Sequence, residues 1–331
     1  MTSLAPTLEA FFTERLGRQR QASPHTIVSY RDSLRLLLVF AEQRTRVPPS
    51  RLDLADLDAT LIGAFLDHLE RDRHSSVRTR NVRLAAVHSL FRFAALRHPE
   101  HAALIQRVLD IPQKRYQSSD VSFLDRDEVQ ALLSAPDLSS RLGRRDHALL
   151  TLAIQTGLRV SEITALRRRD LTLSAGAHVT CLGKGRKHRS TPLTRRTSAV
   201  LRAWLQEIPE QPDTPVFPGP RGEALGRDAI RRLVTRHAQT AQQRCPSIQA
   251  KRPSPHTLRH TCAMDLLQAG IDLSTIALWL GHEGIQTTQI YLHADLKLKE
   301  RALARTTPRA TSLPSRYKAS DSLLAFLKTL G

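Results

Sequence analysis

One stretch of this chain, residues 171–193, breaks an otherwise helical hydrophobic period, and that contrast limits the fold more than any other feature. Elsewhere apolar residues recur at helical spacing, as at Leu8, Phe11, Phe12 and Leu16 within 7–20. Ser23-Pro24 has the form of an N-cap with proline in the first turn, opening a helix that carries Ile27, Tyr30, Leu34, Leu37, Leu38 and Phe40. Helical stripes also cover 57–72, 76–97, 100–110, 125–134, 142–156, 194–207, 226–243, 255–268, 273–280 and 285–291. Within 171–193 the runs HVTCLG and HRSTPL lean to strand. They flank the turn Lys184-Gly185-Arg186-Lys187, the pattern of a β-hairpin. The expected class is mainly α, with a small antiparallel β-sheet in the second half.

At 331 residues the chain has room for two domains. Residues 1–110 read as a helical bundle and 123–331 as a second domain. Between them 111–122 holds a proline and a serine pair but no helical stripe, as a linker does. The longest apolar run of the first domain, 36–41, is far short of the roughly 20 residues that span a bilayer. No basic stretch precedes an apolar one at the start, and Cys181, Cys245 and Cys262 sit at no metal or disulfide spacing. The expectation is a cytoplasmic protein with no membrane partner.

Lys and Arg number 50 against 31 Asp and Glu, a net charge of +19. An excess of that size points to a polyanionic partner, nucleic acid above all. Residues 1–110 carry 16 basic and 12 acidic side chains, whereas 111–331 carry 34 and 19, so the second half is the stronger anion binder. Within it Arg167, Arg168 and Arg169, the helical set Arg227, Arg231, Arg232 and Arg236, and Lys187 are candidate DNA-phosphate contacts. Nothing matches the phosphate loop G-x-x-x-x-G-K-[ST].

Four segments of the second half stand out together: TGLRVSE (156–162), GKGRKHR (183–189), HTLRH (256–260) and LGHEGIQTTQIY (280–291). Each alone has an ordinary explanation, from a surface arginine past a helix end to a packing tyrosine. Jointly, an Arg, a Lys 25 residues on, H-x-x-R-H, L-G-H and a Tyr nine residues past that His form a specific pattern. In this pattern the chain resembles the tyrosine recombinase (phage integrase) family, the Xer- and integrase-like site-specific recombinases. The resemblance covers about 122–305 and extends more weakly to the N-terminal bundle. It implies an N-terminal helical core-binding (SAM-like) domain and a mostly helical catalytic domain. It implies that Arg159 and Arg259 bind phosphate, that Lys184 is the hairpin lysine, and that His256 and His282 are the two histidines. Tyr291 would be the nucleophile and Glu162 a supporting acidic residue.

The chemistry of that set is coherent in its own right. Attack on a phosphodiester builds negative charge on the non-bridging oxygens, and two guanidiniums offer planar, always-charged forks that match them. A phenol ordinarily titrates near 10 and needs a base, for which His256 is the nearest candidate; being three residues apart on one helix, His256 and Arg259 should face the same way. The departing 5′ oxygen needs a proton, a role that suits Lys184 on a hairpin tip. A phosphotyrosine would conserve the bond energy, so no ATP and no other cofactor is expected. Metal chemistry is not expected either: HTLRH lacks the Glu of H-E-x-x-H, and Arg259 would repel a cation.

The resulting expectation is a site-specific recombinase or integrase acting on double-stranded DNA with inverted-repeat sites. By the resemblance, it works as a homo- or hetero-tetramer on two duplexes, with sister recombinases as possible partners. The region after Tyr291 resembles integrases carried on mobile elements. A type IB-like topoisomerase and a non-catalytic DNA-binding protein of the same fold are the alternatives. The amphipathic tail 320–330, with Leu323, Leu324, Phe326, Leu327 and Leu330, is expected to dock on a neighbouring protomer.

Overall fold

The computed structural model describes residues 3–116, 121–183, 188–282, 284 and 286–294. The chain divides into two units, Met1–Ser119 and Asp120–Gly331. Among the described residues it is mostly helical with one three-stranded antiparallel sheet, the class expected from the hydrophobic period. The tail 320–330 lies outside the described residues.

In the first unit the helices are α1 (Leu4–Ala10), α2 (Pro24–Thr45), α3 (Ala59–Arg71), α4 (Val77–Ala95) and α5 (Ala102–Leu109). Short polar side chains set the starts of α2, α3 and α4. Ser23 Oγ accepts from the Thr26 N–H at 3.2 Å, Asp58 Oδ1 from Leu61 at 2.7 Å and Ser76 Oγ from Thr79 at 3.2 Å. Each such cap is worth about 1 kcal/mol. The first helix departs from the expected 7–20. It starts at Leu4, and over Phe11–Gln19 the backbone winds as a π-helix. Phe11 and Leu16 are both fully buried although five residues apart. An α-helix would turn them to different faces, whereas i→i+5 bonding brings them closer to one. They join Leu34, Leu37, Phe65, Leu84, Phe91 and Val108 in a single core.

The second unit contains α6 (Arg126–Leu133), α7 (Arg141–Thr156), α8 (Val160–Ala165), β1 (Leu171–Thr172), β2 (His178–Leu182), β3 (His188–Pro192), α9 (Arg195–Leu205), α10 (Arg227–Gln242), α11 (Ile248–Lys251), α12 (Pro255–Gln268), α13 (Leu273–Leu280) and α14 (Gln286–Ala294). The central helix is α7: its charged first half gives way to residues 148–154, which are buried on every side, Leu149, Leu150 and Leu152 fully. The expected hairpin is present as β2 and β3, paired from His178↔Pro192 to Leu182↔His188. Strand β1, not expected, adds the pairs Leu171↔Val179 and Thr172↔His178 at the other edge. The helix α8 was not foreseen either, because six residues give too short a stripe to read. A smaller apolar cluster gathers Cys262, Met264, Leu267, Ile276, Leu280 and Tyr291 from α12, α13 and α14.

Candidate active site

Two left-handed glycines create the floor of the site. Gly157 ends α7 at φ +62° and Gly281 ends α13 at φ +65°. Neither position accommodates a side chain easily. A Cβ on Gly157 would lie 2.6 Å from Leu280 Cδ2, and one on Gly281 would lie 3.0 Å from Arg189 Cδ. Helix ends leave carbonyls without helical partners. Here those carbonyls accept from two guanidiniums. Arg259 Nη1 donates to Gly157 O at 2.6 Å and its Nη2 to Leu280 O at 2.7 Å. Arg159 Nη2 donates to Gly281 O at 2.7 Å.

Arg159 stands at the N-cap of α8, where Glu162 completes a capping box with it. Glu162 Oε2 accepts from the Arg159 backbone N–H at 2.7 Å and Oε1 from Arg159 Nη1 at 2.9 Å. The Glu162 side chain is 4% exposed and that of Arg159 30%. Arg259 is buried at 3%, and burial together with the neighbouring Arg159 charge lowers its pKa to about 10. A guanidinium has five donors, so each arginine keeps donors beyond those the carbonyls and Glu162 take. The result is a pair of fixed guanidiniums with donors to spare, a chemistry suited to an anion.

Tyr291 on α14 is 1% exposed. Burial pushes its phenol up to about 12, against the pull of the Arg259 charge. Its hydroxyl shares a 2.9 Å hydrogen bond with Nδ1 of His260. The imidazole hydrogen-bonded to the phenol is thus His260, which the sequence reading gave no role. His256 is exposed in the first turn of α12, and its ring stacks on that of His260 at 4.9 Å. His256 and Arg259 lie three residues apart on α12, His256 exposed in the first turn and Arg259 buried, where it donates to the carbonyls of Gly157 and Leu280. His282 follows Gly281, and its Nδ1 shares a 2.8 Å hydrogen bond with Thr288 Oγ1.

His260 and His282 are both lowered to about 4, chiefly by burial, with His256 and Arg259 adding to the shift of the first and Arg259 and Arg159 to that of the second. Between pH 6.5 and 4 the unfolded chain therefore binds protons that the folded chain refuses. The stability they contribute is full above pH 6.5 and is lost as pH falls toward 4. The melting temperature should fall between pH 7.5 and 5, and His260→Asn should make that fall smaller. An unchanged fall in the variant would refute the neutral assignment of His260.

Lys184 and Lys187 lie outside the described residues. The other basic candidates separate into two kinds. Arg227, Arg231, Arg232 and Arg236 are exposed on α10, with Arg236 3.7 Å from the buried Asp146 carboxylate. Arg168 Nη1 instead donates to Leu205 O at 2.7 Å and Arg169 pairs with Asp213, so both have partners within the protein. The Arg167 N–H donates to Asp170 Oδ2 at 2.8 Å. Among the described residues no group of three His, Cys, Asp or Glu side chains is placed to hold a metal ion.

Two residues at the site escaped the sequence reading. One is His260, which the sequence shows only as the last residue of HTLRH (256–260). The other is Arg189, on β3, whose Nη2 donates to Glu162 Oε2 at 2.7 Å. Its signal was available: in HRSTP a strand period of two puts Arg189 on the same face as the buried Thr191, and a charge at an inward position calls for a partner.

Residues 122–297 match the phage integrase family, and 10–98 match the phage integrase N-terminal SAM-like domain. The chain is 57% identical to the integrase/recombinase y4rC of Sinorhizobium fredii, over 99% of this chain and 98% of that protein. It is 36% identical to the tyrosine recombinase XerC of Xanthomonas campestris, over 94% of this chain and 90% of that one. Among solved structures, the XerH site-specific recombinase bound to palindromic difH substrate in a post-cleavage complex shares the fold. The TM-score is 0.69 at 24% identity, covering 86% of this chain and 81% of that one.

Proposed function

The chain belongs to the phage integrase family and is a tyrosine-type site-specific recombinase, and from that premise we propose how its residues cut and rejoin DNA. The observation that carries the reading is the pair of arginine forks, fixed on the carbonyls of residues 157, 280 and 281, beside the Tyr291–His260 hydrogen bond. The scissile phosphate binds the unused donors of Arg159 and Arg259. Donors held in place before charge develops are usually the largest catalytic term.

Tyr291 Oη then attacks phosphorus, forming the phosphotyrosine bond to the 3′ side of the strand as the bond from phosphorus to the 5′ oxygen breaks. The phenol proton leaves along its hydrogen bond to His260. Burial, with the Arg259 charge adding to it, holds that imidazole near 4 in the free protein, and the negative phosphate offsets the Arg259 part. Lys184 gives its proton to the departing 5′ oxygen, and His282 donates to a non-bridging oxygen. His256, exposed and stacked on His260, completes the set at the open side. Attack by a 5′-hydroxyl from another strand reverses the sequence and reseals the DNA. The exposed arginines of α10 supply phosphate contacts that position the duplex. Paired sites on two duplexes, and four protomers acting on them, are the assembly in which such exchange is productive.

The test begins by selecting, from a randomised duplex library, the DNA that the Tyr291→Phe protein retains. That duplex, nicked near its centre so that cleavage is trapped, is then given to the unaltered protein. A covalent protein–DNA band should form in EDTA at the same rate as in magnesium, because the two arginines already neutralise the phosphate. A band that appears only with added metal would overturn the metal-free mechanism. Relaxation of any supercoiled plasmid regardless of the selected sequence would instead favour a topoisomerase.

The proton route is tested on the same substrate. His260→Asn keeps polar atoms near the phenol but cannot take its proton. It should slow adduct formation by about 10²-fold, the low end of what a general base supplies. A normal rate in His260→Asn, with a large loss in His256→Asn, would restore the base to His256.

A further inference from the structure

Arg189 has no part in the reaction steps above, yet it touches both supports of the phosphate-binding arginines. It stands on β3 opposite Cys181, with its side chain 12% exposed. Its Nη2 donates to Glu162 Oε2 at 2.7 Å, and its Nη1 donates to the carbonyl of Trp279. The same Glu162 carboxylate accepts from Arg159 at both oxygens. The carbonyls just after Trp279, those of Leu280 and Gly281, accept from Arg259 and Arg159. Gly281 packs against the Arg189 stem so closely that a Cβ there would lie 3.0 Å from both Cδ and Nε. That Nε is buried with no hydrogen-bond partner among the described residues, so the fork is held by its outer nitrogens and by packing.

We propose that Arg189 is a positioning residue for DNA cleavage: it bridges Glu162 and the Trp279 carbonyl so that Arg159 and Arg259 present their remaining donors at a fixed separation. The inference rests on the reading that those two arginines bind the scissile phosphate. Its physical basis is the shape of the group. A guanidinium spans two acceptors on different elements at once, here α8 and the end of α13, whereas a lysine ammonium is a point charge on a flexible stem. Without the bridge, Arg159 is the partner left to Glu162 among the described residues, and the 279–281 turn loses a donor that fixes its carbonyls. A shift of about 1 Å in a group that orients the reacting atoms can cost 10²-fold in rate.

The experiment uses the full chain and the nicked selected duplex, with either a normal 5′ oxygen or a 5′-bridging sulfur at the scissile position. Sulfur is a good leaving group without a proton. Arg189→Lys should slow adduct formation by about 10- to 100-fold on both substrates alike, with duplex affinity within about threefold of the unaltered protein. Equal loss on both marks a defect in holding the phosphate. Rescue by sulfur would show that Arg189 acts through the proton donor of the hairpin, and would overturn the proposal. A normal rate in Arg189→Lys would overturn it as well. Arg189→Met keeps the stem, and both variants are melted in parallel. If the lost activity in both only tracks lost folded protein, the residue is structural and the positioning role is refuted. Should the unaltered protein form no adduct at Tyr291, the failure lies in the underlying mechanism and not in the role of Arg189.

Discussion

Tyr291→Phe should bind the selected duplex normally and form no detectable covalent adduct, a loss of more than about 10³-fold, since removing a covalent nucleophile leaves only the binding machinery. The substitution deletes one oxygen. The ring keeps its packing in the cluster of Cys262, Met264, Leu267, Ile276 and Leu280. The hydrogen bond to His260 is lost, a change in stability of about 1 kcal/mol. The variant therefore separates chemistry from folding. The remaining tyrosines are Tyr30, Tyr116 and Tyr317. An adduct that persists in Tyr291→Phe and maps by peptide mass to one of them would remove Tyr291 from its role.

Arg259→Lys should lower the rate of adduct formation by about 10²- to 10³-fold, the usual cost of one lost donor to developing negative charge. It should also lower stability by about 1–3 kcal/mol, the desolvation cost of a buried acceptor left unpaired. Both effects have one cause. Arg259 is almost wholly buried and joins the carbonyls of Gly157 and Leu280, the ends of α7 and α13. A lysine can reach one of these carbonyls but not both. Arg159→Lys makes the informative contrast. That side chain is more exposed and its carboxylate partner is shared with Arg189, so the rate should fall with a smaller loss of stability. Single-turnover rates beside urea unfolding separate the two effects. A rate in Arg259→Lys close to that of the unaltered protein would exclude it from phosphate binding.

Much of the fold was open to a reader of the sequence. The helical class, the starts of α2, α6, α7 and α12 and the hairpin of β2 and β3 follow from period, caps and turn residues, which act over a few positions. The less legible elements are those whose signal is short or depends on packing. Six residues of α8 and two of β1 are too few for a period. The π-helical winding over Phe11–Gln19 gains its reason only from a core that accepts Phe11 and Leu16 together.

At the site the division is similar. The family resemblance carried by the order and spacing of four segments singled out Arg159, Glu162, Lys184, His256, Arg259, His282 and Tyr291. The sequence by itself determined which functional groups are available, that the chain is mainly helical, and that its excess of positive charge favours a polyanion. Only the tertiary structure decided which groups touch. It put His260 rather than His256 against the phenol, turned Arg259 inward onto two helix ends, and brought Arg189 from a strand to a carboxylate on α8. The physical reason is range. Capping and periodicity are set by neighbours three or four residues apart, whereas Arg259 and Gly157 are separated by 102 residues and His260 and Tyr291 by 31. Contacts across such distances depend on how whole helices pack around α7, and no local pattern records that.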